Sequence, residues 1–198
     1  MELILASGNE HKRREIEAIL GRIHIVTPKE MGVKFEYAET GDTFFANAFG
    51  KALHLNGIIG KPVIADDSGL VVRSLGGAPG VRSARFGDRA DGHRLSDRDR
   101  YELLLKKLEG VHEREAAFIC CMVVLASPDR FLVAQESCTG VITNRPQGEA
   151  GFGYDPVFRP TGFEVTMAEL PAERKNQISH RGRALRSISD SIAPFISP

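Results

Sequence analysis

Net charge is the first thing this chain lacks: Lys+Arg and Asp+Glu both total 26 among 198 residues, so the formal net charge is zero. No whole-molecule field draws it to DNA or to an anionic membrane, and any anion must be met by a local cluster. Aromatic residues make up only 7%, which with this charge balance gives no extended basic stacking surface for nucleic acid. No run of roughly 18 apolar residues occurs, so no membrane span is predicted. The opening MELILASGNEH turns polar too quickly for a signal peptide. Cysteine is scarce as well: three residues, an odd number, with no C-x-x-C spacing. Cys120 and Cys121 are adjacent in a β-type run, point to opposite faces and cannot readily share a metal. Ordinary buried thiols in a reducing cytoplasm are the expectation. Repeats, low-complexity tracts and an obvious linker are also missing. The whole chain, 1–198, is therefore expected to form a single domain with two lobes, the lobe boundary falling somewhere in 75–115. At this length, burying roughly 70% of the unfolded surface gives a sizeable core without staples.

What is present alternates. ELILA (2–6) reads as a strand, SGNEHK as a turn and helix start, and KRREIEAIL as a helix with Ile16, Ile19 and Leu20 at helical spacing. A second strand is expected near HIVTP. DTFFANAFGKALHL follows as a helix with Phe45, Ala48, Phe49, Ala52 and Leu53 on one face. KPVIAD returns as a strand, residues 71–90 carry a turn-rich composition, and DRDRYELLLKKLEG is a helix closed by Gly110. From 115 the pattern changes to two long β-type runs, EAAFICCMVVLAS and RFLVAQESCTGVI, joined by PDR as a hairpin. The chain closes with a Gly-rich loop, GEAGFGYDP, and a final helix carrying Ala184, Leu185, Ile188 and Ile192. The expected class is α/β or α+β with a mixed sheet.

Four stretches bear chemistry. SGNEHK, Ser7 to Lys12, sits between a strand and a helix, where backbone N–H groups and the helix dipole favour phosphate and Lys12 adds a full charge. It is not a P-loop, and alone it reads equally as a capped helix start. VIADDSGL sets Asp66 and Asp67 side by side at the expected carboxyl end of a strand, the edge where open α/β sheets place ligands. Adjacent carboxylates need an offsetting charge, and hard oxygen ligands suit Mg2+. Glu39 in AETGD is a candidate third carboxylate. A cap and turn is the competing reading, although capping needs one Asp and not two. GFGYDP offers an aromatic, a flexible backbone and a carboxylate, a platform for stacking a base, or simply a turn. In ERKNQISHRGRAL, Ser179 can cap the last helix, leaving His180 and Arg181 in its first turn. Cations are disfavoured there unless an anion or polar ligand arrives; a surface basic helix is the alternative.

Taken together, SGNEHK, ETGDTFFANAFGKA, ADDSGLVVRSLGGAPGVRSARF, GFGYDPVF and AELPAERKNQISHRGRAL, in that order, resemble the inosine triphosphate pyrophosphatase family from about residue 2 to 193. The resemblance implies an elongated mixed sheet flanked by helices, two lobes with a substrate cleft between them, a homodimer, and Mg2+-dependent hydrolysis of ITP, dITP and XTP to monophosphate and pyrophosphate. It implies that Ser7, Gly8, Asn9, Glu10, His11 and Lys12 hold the triphosphate and that Lys51 and Ser68 lie on the phosphate side. Asp67 would be the catalytic carboxylate and Mg2+ ligand, with Asp66 as a second catalytic residue and Glu39 assisting the metal. Phe152, Gly153, Tyr154, Asp155, Lys175, His180 and Arg181 would bind base and sugar. Three places depart from the family pattern: Arg82 stands where an aromatic is common, Arg100 and Tyr101 where Asn is common, and Ser7 replaces a frequent Thr. The alternatives are a pyrophosphatase of the related fold acting on pyrimidine or methylated nucleotides, and a non-enzymatic nucleotide-binding module.

Overall fold

A computed structural model describes residues 1–88 and 92–197; the last two residues of the expected turn-rich stretch 71–90 lie outside it. The strands and helices follow in the order β1 (Glu2–Leu5), α1 (Glu10–Leu20), β2 (His24–Val26), α2 (Phe44–Ile59), β3 (Val63–Val72), α3 (Asp97–Lys107), β4 (Glu115–Ser127), β5 (Arg130–Ile142), β6 (Phe158–Pro160), α4 (Ala172–Ile178) and α5 (His180–Ile196). The strands form one sheet ordered β2-β1-β3-β4-β5-β6. β1 pairs in parallel with β2 and β3, while β5 and β6 are antiparallel. The fold is therefore the α/β class with a mixed sheet. β4 and β5 occupy the two expected runs and are joined by the short hairpin at Pro128 and Asp129.

The chain divides into two compact units: residues 1–68, 120–136 and 180–198 form the first, and 69–119 and 137–179 the second. The crossings fall inside β3, β4 and β5 or at the start of α5, and the stretch 75–115 lies wholly in the second unit. Strands carry no linker composition, so nothing in the sequence marks these points.

In the first unit the pleat sorts side chains by parity. Leu3, Leu5, Ile64, Cys120, Met122 and Val124 pack with Ile16 and Leu20 of α1 and Ala184, Leu185, Ile188 and Ile192 of α5. Ile4, Val63, Ala65, Cys121, Val123 and Leu125 face the other way, against Ala48, Ala52 and Leu55 of α2. Cys120 and Cys121 thus lie on opposite faces, both buried and free. Burial pushes their thiols up to about 12 and about 11, so both stay protonated. In the second unit Leu70 and Val72 of β3 and Phe118 of β4 pack with Leu104 of α3 and with Phe158, whose ring meets that of Phe118 edge-on at 4.7 Å.

Two expectations need correction. β3 does not end at the aspartates; it continues to Val72, so Asp66 and Asp67 sit inside the strand. Buried carboxylates interrupted the apolar run and imitated a strand end. The buried face of α2 is also rotated from the expected one. It comprises Asn47, Ala48, Lys51, Ala52, Leu55 and Asn56, whereas Phe45 and Leu53 are exposed. Three polar residues on the covered side hid that face from a hydrophobicity count.

Candidate active site

The alternation of β3 resolves how two carboxylates can be neighbours: their side chains project to opposite faces of the sheet. Asp66 joins the α1/α5 side. Its Oδ2 meets Lys12 Nζ at 3.0 Å and Arg181 Nη2 at 3.1 Å, and accepts the Ser68 hydroxyl at 2.6 Å. Arg181, in the first turn of α5, also pairs with Glu15 of α1 and donates to Ser68 Oγ at 3.2 Å. Asp66 is fully buried. Burial alone would raise its pKa, but the charges of Lys12, Arg181 and Lys51 outweigh it and hold the carboxyl well below the usual range. Asp66 is thus an ionised hub between two helices at neutral pH, its Oδ2 shared by Lys12, Arg181 and Ser68.

Asp67 joins the α2 side. Its Oδ2 accepts from Asn47 Nδ2 at 2.9 Å and its Oδ1 from the Ser68 amide at 2.9 Å. Burial raises its pKa and the nearby Glu39 carboxylate adds to the rise, against the opposing pull of Lys51, Asn47 and Lys12. Lys51, one turn after Asn47, donates to the Asp66 carbonyl at 2.7 Å and pairs with Glu39. Burial disfavours the Lys51 charge, yet Asp66, Glu39 and Asp67 more than compensate and keep it protonated. At the start of α1, Asn9 caps the helix by accepting from the His11 and Lys12 amides, and the Ser7 hydroxyl accepts from the Asn9 amide at 3.1 Å. The first unit thus brings together Ser7 to Lys12, Glu39, Lys51, Asp66, Asp67, Ser68 and Arg181. His180 is buried beside Arg181 at the head of α5.

The second unit holds a separate cluster. Asp155 Oδ2 accepts from Lys175 Nζ at 2.7 Å and from the Phe152 amide at 2.9 Å, and the Lys175 ammonium lies 4.9 Å from the Phe152 ring centroid. A side chain at Gly151 would collide with the Asp155 carboxylate, and its φ of 81° favours glycine as well. The Gly153 amide donates to Asp97 Oδ2 at 2.8 Å, and the Tyr154 hydroxyl donates to the Ser83 carbonyl at 2.9 Å. Phe152, Gly153, Tyr154, Asp155 and Lys175 therefore share one environment. In the first unit the Arg181 guanidinium is engaged by Asp66, Ser68 and Glu15.

Sequence reasoning missed Asn47 and Glu15. Asn47 left a trace, since Asn47 and Lys51 stand four apart on one helix, a polar stripe beside the small residues Ala48 and Ala52. Glu15 left none, being one more charge in a charged helix.

The different surroundings of the aspartates predict an effect on stability. In Asp66→Asn the charge of Lys12 loses its buried counter-ion and Arg181 loses the one on β3 while keeping Glu15, a change that costs about 3–5 kcal/mol. Thermal unfolding at neutral pH should show a melting temperature lower by on the order of 10 °C; an unchanged value would contradict the hub role. Folded Asp66 titrates below its unfolded value of about 3.9. Its stabilisation is therefore fully present at neutral pH and fades only as pH falls below that value.

The model of the Ham1 family matches residues 3–191. The dITP/XTP pyrophosphatase of Treponema denticola is 51% identical over 189 residues, covering 96% of this chain and 97% of that protein. The dITP/XTP pyrophosphatase of Escherichia coli O157:H7 is 43% identical over 197 residues, covering 96% and 98%. Among solved structures, a HAM1 protein from Coxiella burnetii superposes with a TM-score of 0.87 at 36% identity, covering 98% of this chain and 99% of that one.

Proposed function

The chain belongs to the Ham1 family, and on that premise we propose that it hydrolyses the non-standard purine nucleoside triphosphates ITP, dITP and XTP to the monophosphate and pyrophosphate. The observation that carries the reading is the division of labour along β3. Asp66 Oδ2 is engaged by Lys12, Arg181 and Ser68, whereas Asp67 is a buried carboxylate whose pKa a second carboxylate, Glu39, helps to raise. Carboxylates that repel each other favour a bound cation.

Mg2+ fits that donor set. Among the described residues no group of three or more His, Cys, Asp and Glu side chains is placed to hold a metal. Mg2+ binds habitually through one or two carboxylates, keeps several waters and takes its remaining ligands from substrate phosphate. Asp67 and Glu39 would hold it, and when bound it supplies Lewis-acid polarisation of the phosphoryl group and a more acidic water. The chain's own residues do the rest. Ser7 to His11 and Lys12 grip the triphosphate, and Lys51 and Ser68 lie on its phosphate side. Asp67 orients the attacking water or takes its proton at a carboxylate oxygen. Water adds to phosphorus, the bridge between the α and β phosphates breaks, and pyrophosphate leaves. Most of the rate comes from positioning and fixed charge, as in phosphoryl transfer generally. Phe152 stacks on the base, and Gly153, Tyr154, Asp155, Lys175, His180 and Arg181 complete the binding of base and sugar. A homodimer in the cytoplasm belongs to the same reading; among the described residues no helix is long and apolar enough to cross a membrane.

The test is turnover of a panel of ITP, dITP, XTP, GTP, ATP and pyrimidine triphosphates, with pyrophosphate and orthophosphate assayed separately, with and without Mg2+. Pyrophosphate release from ITP, dITP and XTP in the presence of Mg2+, with little from GTP, is expected. Binding without turnover, or preference for a pyrimidine, would overturn the proposal.

A further inference from the structure

Asn47 is fully buried at the start of α2 and its amide is used on both sides. The Gly41 amide donates to Asn47 Oδ1 at 2.8 Å, and Asn47 Nδ2 donates to the Gly41 carbonyl at 3.2 Å and to Asp67 Oδ2 at 2.9 Å. The two-way pairing with the Gly41 peptide fixes which way the amide points. Flipped, it would set a carbonyl oxygen against a carboxylate and a donor against a donor. Gly41 itself permits the approach, since a Cβ there would lie 2.8 Å from both Ala46 Cβ and Asn47 Oδ1. Gly41 is two residues from Glu39. One buried amide therefore joins the carboxylate on β3 to the segment that carries the other.

We infer that Asn47 is a positioning residue that sets the separation of Asp67 and Glu39 and thereby the affinity of that pair for a divalent cation, an inference that rests on the reading of these two carboxylates given above. Asn47 touches neither substrate nor metal; it acts through the carboxylate it holds. Outer partners of ligating groups typically govern metal affinity or activity by 10- to 100-fold. Without the amide, Asp67 keeps the Ser68 amide as a donor, and the Glu39 segment loses its link to Asp67 through Gly41 while keeping the one through Lys51 to the Asp66 carbonyl.

The test uses the full chain as wild type, Asn47→Ala and Asn47→Leu. Free Mn2+ is titrated by electron paramagnetic resonance, the Mg2+ dependence of ITP turnover is measured, and the folded fraction of each variant is fixed by thermal unfolding. Asn47→Leu keeps nearly the same shape, adds no charge and loses the donor to Asp67, so it decides the matter if Asn47→Ala does not fold. The expected result is a metal constant weakened about tenfold or more in both readouts per folded molecule, with KM for ITP at saturating Mg2+ little changed. Wild-type metal constants in a folded variant would overturn the role of Asn47 alone. A wild type that turns ITP over without any divalent cation would overturn the proposed reaction and this inference with it.

Discussion

Asp67→Asn should lower kcat for ITP by a factor on the order of 10² to 10⁴ at saturating Mg2+, the range for loss of a positioned acid or base. On the proposed reading this carboxylate both handles the attacking water and helps to hold the metal; an amide takes no proton and is a weaker, neutral ligand. The fold should survive. The substitution leaves either the Asn47 or the Ser68 donor without an acceptor, at about 1 kcal/mol, and this is offset by removing a charge that burial already disfavours. The contrast with Asp66→Asn is diagnostic: one aspartate is needed for turnover and the other for stability. Turnover by Asp67→Asn close to wild type would move the catalytic role to another carboxylate. Because burial and Glu39 raise the Asp67 pKa, protons compete with the metal there. The acid limb of kcat/KM should therefore shift to lower pH as Mg2+ is increased.

ATP should be a very poor substrate beside ITP, with kcat/KM lower by a factor that in sites built around a polar contact can reach roughly 10⁴. Lys175 is a donor with no acceptor capacity. Inosine and xanthosine present an acceptor oxygen at position 6, and adenosine presents an amino donor there, which would leave donors facing donors. The Lys175 ammonium is held on Asp155 and over the face of Phe152, so it is aimed by the same loop that would stack the base. Lys175→Met keeps the apolar stem and removes the charge, and it should reduce the ratio of ITP to ATP turnover at least tenfold, within the range of a lost charged contact. An unchanged ratio would remove Lys175 from base recognition. Arg181→Ala is the less informative substitution, because its guanidinium serves Asp66 and Glu15 and its loss perturbs the fold of the first unit.

How much of this was legible in the sequence depended on whether apolar pattern and chemistry agreed. β4 and β5 could be read to the residue because long apolar or alternating runs flank a short turn. α5 was equally plain, with Ala184, Leu185, Ile188 and Ile192 on one buried face. Where polar groups are buried for function, the pattern failed: Asp66 and Asp67 made β3 look finished, and Asn47 and Lys51 rotated the inferred face of α2. The opposed directions of the two aspartates follow from the period of two once β3 is known to continue. Their different partners do not, because Arg181 lies 115 positions from Asp66 along the chain. The link from Asn47 to Gly41 was invisible for a different reason: it joins a side chain to a peptide in an irregular segment, where no periodicity exists to read.

The most direct test of the account is the identity of the first products. A phosphorus-31 magnetic resonance time course of ITP with the purified protein and Mg2+ should show inosine monophosphate and pyrophosphate rising together from the start, with orthophosphate absent. Inosine diphosphate and orthophosphate as the primary products would place the cleavage at the terminal phosphate and contradict it.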